Sequence, residues 1–187
     1  MKTKLSFAIL AVALAAMTFI FSCDGCQKAL DRFLEGALVD IPKEDRTPPR
    51  IWFEVTDAKT GETQVITSST DIFKNNGDVL DIVLWGEDAD GGVKKLCLAT
   101  GFSQECCTTS GSPTLCSITQ TSGANNCLDF SNMTTQAFKK WFIKSDLEVS
   151  LKCGTGFELK SGSYGFVGTV ENFHGGQASI GLGIGVK

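Results

Sequence analysis

Most of the chemistry open to this sequence rests on its eight cysteines. Cys97, Cys106, Cys107, Cys116, Cys127 and Cys153 lie in the body of the chain, and Cys23 and Cys26 stand near its start. An even set of thiols behind an export signal pairs into disulfides, here three whose connectivity the sequence leaves open. Zinc is the rival use of clustered thiols, but the spacings give no two CxxC pairs, and His174 is the one histidine available to complete a site. Cys23-Asp24-Gly25-Cys26 has the formal spacing of a redox dithiol, yet a redox CxxC opens a helix on a βαβ scaffold, and no such setting surrounds it.

The other candidate groups are sparse. Asp88-Ala89-Asp90-Gly91 resembles the opening of a calcium loop, with Asp88 and Asp90 able to offer hard oxygens, but the downstream bidentate glutamate is missing. Carboxylates that accept hydrogen bonds from turn amides explain the same residues, and this reading is preferred. His174, set among Asn172, Gly175 and Gly176, reads as a hairpin-turn residue. No serine or cysteine nucleophile sits at a sharp glycine turn beside a base, so no catalytic residues, cofactor or enzymatic activity are expected. Trp52 and Trp85 fall on the opposite phase from the apolar residues of their strands. Exposed, they would form a flat platform for a sugar or a protein; otherwise a helix over 27–38 or the cysteine-rich segment covers them.

The first 22 residues have a basic start, Lys2 and Lys4, and an apolar run that ends Ile20-Phe21-Ser22-Cys23. This resembles a bacterial lipobox, which implies cleavage before Cys23 and lipidation of its thiol. An ordinary secretory signal and an uncleaved anchor are the alternatives. The expected product is exported and held at the cell membrane or outer membrane by its lipid, with Cys26 left over.

Beyond residue 22 the chain has 15 basic and 21 acidic residues, which argues against a nucleic-acid partner. Residues 23–47 read as a tether. Leu30, Phe33, Leu34, Ala37 and Leu38 stand at helical spacing in a short helix over 27–38, and Pro42 to Pro49 marks the boundary. From residue 48 the period is two. Ile51, Phe53 and Val55 alternate with Trp52 and Glu54 in an expected edge strand, followed by a turn over Asp57–Gly61. Leu80, Ile82, Leu84 and Gly86 share one face, a turn over Asp88–Gly92 follows, and Leu96 and Leu98 continue that face. Trp141–Ile143 and Leu147–Leu151 supply further strands. Tyr164, Phe166, Gly168 and Val170 point inward before the turn at 171–176, and Ala178, Ile180, Leu182, Ile184 and Val186 form the last strand.

The Gly-Asp start, alternating strand, Asp-x-Asp-Gly-Gly-Val and second strand over 77–98, with Leu159-x-x-Gly-x-Tyr164, resemble the bacterial immunoglobulin-like domains of cell-surface proteins. The resemblance implies an all-β immunoglobulin-like sandwich over 48–187, with a tyrosine corner at Tyr164. Residues 101–127, four cysteines among Ser, Thr, Gly and Asn, depart from that pattern as a disulfide-stapled insert. The expected function is non-catalytic adhesion or recognition of a protein or glycan, with the insert and nearby loops as the contact surface. A structural component of an envelope complex and a carbohydrate-binding accessory module are the alternatives.

Overall fold

The computed structural model describes residues 37–45, 47–109 and 114–186. The leader, Cys23 and Cys26, and nearly all of the expected helix lie outside them. Among the described residues no helix is long and apolar enough to cross a membrane.

The domain is all-β and built from two sheets. Strands β1 (Leu38–Asp40), β2 (Arg50–Asp57), β3 (Thr63–Ile66), β4 (Thr70–Lys74), β5 (Val79–Glu87) and β6 (Val93–Thr108) are followed by β7 (Cys116–Asp129), β8 (Gln136–Phe138), β9 (Lys140–Glu148), β10 (Phe157–Asn172) and β11 (Gln177–Val186). The smaller sheet has the order β3-β2-β5-β9; the larger, a curled half-barrel, runs β1-β8-β6-β10-β11-β4, with β7 paired to β6. β4 joins β11 in parallel, whereas the other registered pairs are antiparallel.

Period-two side chains build the core between the sheets. Phe53 and Val55 of β2 and Leu80, Ile82 and Leu84 of β5 meet Leu96 and Leu98 of β6, Phe166 and Val170 of β10, and Ile180, Leu182 and Ile184 of β11. Two inward positions carry no side chain, for a steric reason. Leu96 and Val170 fill the space beside Gly86, and Leu84 and Ile51 fill that beside Gly168. Outside, Asp71 and Phe73 of β4 lean over Gly183 and Gly185 of β11, so a Cβ at either glycine would displace them.

The structure corrects several expectations. β2 is not an edge strand, because the turn at Asp57–Gly61 folds β3 back onto it. β9 is one strand that ends at Glu148, and Val149 then makes two isolated backbone bonds, to Gly77 and Asp78. Leu38, included in the helical spacing, opens β1. The expected insert is disulfide-stapled but strand-built: residues 101–108 continue β6 and residues 116–127 belong to β7, two long strands in register from Lys95↔Asp129 to Cys107↔Cys116, with a shift between Ala99 and Gly101. The proline-marked segment is held to the domain: Ile41 N–H donates to Thr135 O, and Pro42 O lies 2.8 Å from His174 Nε2.

The filled space beside Gly168 makes a direct test. Gly168→Ala is expected to destabilise the domain by about 1–3 kcal/mol through overpacking against Leu84, read as a lowered urea midpoint at unchanged slope.

Candidate functional site

The cysteines pair as Cys97–Cys127, Cys106–Cys153 and Cys107–Cys116. Two of these bonds join directly opposed residues of β6 and β7, one near each end of the shared ladder. The third ties β6 to the segment that follows β9, where Leu151 packs on Gly162 and Tyr164 Oη accepts the Ser150 N–H at 3.0 Å. Three disulfides mark the protein as exported to an oxidising, extracytoplasmic compartment. The group closest to a metal centre among the described residues, Glu105 with Cys107 and Cys116, is spent, since both sulfurs are in one disulfide.

The ribbon these bonds hold is unusual in what it exposes. Every residue of β7 is exposed, and Cys116 to Leu128 carries no charge. Leu115 and Ile118 are each 68% exposed at its outer end. β7 therefore has no apolar anchor of its own, and its position is set by hydrogen bonds to β6 and by the two cross-strand disulfides.

Asp88 serves the turn. Its Oδ1 accepts the Gly91 N–H at 2.6 Å and the Asp90 N–H at 3.1 Å, which is the turn-amide role expected of it. Gly92, at φ 73°, takes the left-handed conformation that closes this turn into β6. Asp88 is buried with a partner for its other oxygen as well: the two N–H groups of Asn172 Nδ2 are shared among Asp88 Oδ2 at 3.0 Å, Asp45 Oδ2 at 2.9 Å and Thr47 O at 3.2 Å. Asn172 Oδ1 accepts the N–H groups of His174 and Gly176. His174 lies in the β10–β11 hairpin, as its neighbours implied. Asn172 is 1% exposed, and its role in joining three segments had no signal in the sequence beyond its place in a turn.

Trp52 and Trp85 lie on the outer face of the smaller sheet, opposite one another in register, with Phe142 opposite Trp85. The indole centroids are 6.1 Å apart and the planes within 16°, and Phe142 is 4.9 Å from Trp85. Lys140 Nζ lies over both indoles, 4.6 Å from Trp52 and 4.2 Å from Trp85. Both indoles are half-buried. Trp52 Nε1 donates to Glu54, while the buried Trp85 Nε1 has no acceptor among the described residues. The phase of the two tryptophans was legible in the sequence; the additions of Phe142 and Lys140 depend on strand register and were not.

On the larger sheet Lys94 pairs with Glu171 at 2.6 Å. That hydrogen bond is the main cause holding the Glu171 carboxyl below its usual 4.5. On the smaller sheet Lys144 bridges Asp146 and Asp81, and its hydrogen bond to Asp146 is the chief cause raising its pKa.

No protein-family model matches the chain, and no curated protein matches it significantly.

Two outcomes are expected. Asn172→Ala should cost about 2–4 kcal/mol by leaving buried groups unpaired, measured by denaturant unfolding. Glu171→Gln should cost about 0.5–1 kcal/mol at neutral pH, the scale of a part-exposed pair. A depressed carboxylate stabilises the fold above its unfolded pKa and ceases to do so as pH falls through its folded pKa. The gap between the Glu171→Gln and parent melting curves should thus be full above about pH 4.5 and close progressively below it.

Proposed function

We propose that the chain is a lipid-anchored recognition protein of the bacterial cell envelope, tethered through Cys23, whose immunoglobulin-like domain binds a partner without catalysis. The observation that carries this reading is the β6–β7 ribbon: a fully exposed strand, without charge from Cys116 to Leu128, held in register by two cross-strand disulfides. Such an element buries no apolar side chain of β7 and so contributes little to the core, but it pre-organises a contact surface and lowers the ordering cost of binding. Its exposed Leu115 and Ile118 are the apolar anchors.

The immunoglobulin-like assignment draws support from the strand distribution. β2, β5 and β9 share one sheet, β6, β10 and β11 the other, and the edge strand β4 runs parallel to β11. The hydroxyl of Tyr164 on β10 ties backbone of the opposing connection, as in a tyrosine corner. The Ile20-Phe21-Ser22-Cys23 sequence supports the lipid anchor.

An assembly role is the second reading, and the free edge of β7 favours it. Among the described residues β7 pairs with β6 alone, and its uncharged edge lacks the lysines that usually deter strand addition. Charge-free edges can pair with their own copies without like-charge repulsion.

The test is retention of intact cells, matrix or isolated envelope by the immobilised, oxidised protein. Leu115→Asp with Ile118→Asp should lower retention at least tenfold at an unchanged unfolding midpoint, because both residues are exposed. Equal retention would overturn the recognition reading. A fixed co-purifying partner, or a dimer abolished by Thr119→Lys with Thr121→Lys in sedimentation, would favour assembly.

A further inference from the structure

We infer that the outer face of the smaller sheet holds a binding site for an acidic saccharide, seated on Trp52 and Trp85 and recognised through Lys140. The site is independent of the ribbon. A concavity of about 460 Å³ lies at this face, lined among others by Arg50, Trp52, Val65, Thr67, Glu87 and Lys140, with Trp85 outside its lining as the cross-strand neighbour of Trp52. Strand register explains its make-up: Arg50, Glu87 and Lys140 form one cross-strand row, and Trp52, Trp85 and Phe142 form the next row on the same face.

The chemistry of these two rows selects the ligand. Indole faces accept the C–H face of a pyranose ring or a cation, and they disfavour an anion. Lys140 changes that preference locally, because its ammonium lies over both indoles. Glu87 is engaged by Arg50 at 3.6 Å, whereas Lys140 has no carboxylate within 4.0 Å among the described residues. The lining therefore sets two cations against one carboxylate on a chain of net charge −4. No carboxylate among the described residues holds Lys140, so its ammonium can swing from above the indoles to an incoming carboxylate, and the ring face it uncovers matches the C–H face of a sugar that carries that carboxylate, such as a uronic acid residue. A neutral sugar would leave the ammonium unused, and a flexible acidic peptide would leave the indole faces unused. Arg50, with its side chain 78% exposed, can turn to the carboxylate without breaking a buried contact, and Thr67 borders the concavity as a hydroxyl partner.

The experiment is a titration of the full chain, in a detergent without sugar headgroups, with oligogalacturonate, with its methyl-esterified neutral counterpart and with oligoglutamate. Calorimetry gives the affinity, and tryptophan fluorescence reports contact with the indoles. The uronate oligomer is expected to bind and to shift the emission, with the neutral oligomer at least tenfold weaker and oligoglutamate giving no emission change. Lys140→Gln, a change at an exposed residue, should bring uronate affinity down to that of the neutral oligomer. Trp52→Ala should abolish both sugar interactions. The inference fails if uronate does not bind, if oligoglutamate binds as well as uronate, or if Lys140→Gln leaves the uronate preference intact. Leu115→Asp with Ile118→Asp should leave uronate binding unchanged, so a failure here and a failure of the ribbon as a contact surface remain distinguishable.

Discussion

The constraint on which the exposed half of this molecule depends is the covalent registration of β7 against β6. A strand of fourteen exposed residues gains nothing from apolar burial, and its remaining hold, a ladder of solvent-accessible hydrogen bonds, contributes little net stability. Cys97–Cys127 and Cys107–Cys116 supply what the core cannot. They close sequence separations of 30 and 9 residues, and loops of that size correspond to about 2.5–4 kcal/mol each in the chain-entropy account. Because both bonds join opposed residues, they also exclude slippage in a strand whose Ser, Thr and Asn side chains do not distinguish one face from the other. The compartment and the register of the exposed ribbon thus follow from one set of thiols.

A second constraint acts at the other end of the sheets. Asn172 shares its two amide N–H groups among Asp88, Asp45 and the Thr47 carbonyl, and accepts two hairpin amides with its oxygen. One buried side chain thereby fastens the β5–β6 turn, the β10–β11 hairpin and the segment before β2. The carboxylates there are anchored hydrogen-bond acceptors. Neither this knot nor the core between the sheets draws on β7 or on the aromatic row of the smaller sheet.

How much of this could be read beforehand follows from the kind of force involved. Leu80, Ile82 and Leu84, or Ile180, Leu182 and Ile184, announce their strands because burial imposes period two on the sequence. β7 gave no such signal, since nothing along it is buried, and its Ser, Thr, Gly and Asn residues read as loop. β3, β4 and β8 are three to five residues long and owe their conformation to the neighbours that pair with them. The cysteines were legible as a set but not as pairs, because pairing depends on register. The same holds for the candidate sites: the phase of Trp52 and Trp85 was visible, while Phe142 and Lys140, more than fifty residues further along the chain, are brought to them by β9 alone.

Amide hydrogen exchange along residues 116–127, measured in the oxidised and the reduced protein, decides whether disulfides hold β7. β5 and β11, which need no disulfide, serve as internal references. In a disulfide-held ribbon, β7 amides bonded to β6 are protected in the oxidised chain and lose that protection on reduction, while Leu80–Leu84 and Ile180–Ile184 remain slow. Rapid exchange throughout β7 before reduction, or protection unaffected by it, would contradict a disulfide-held ribbon and remove the basis for reading it as a contact surface.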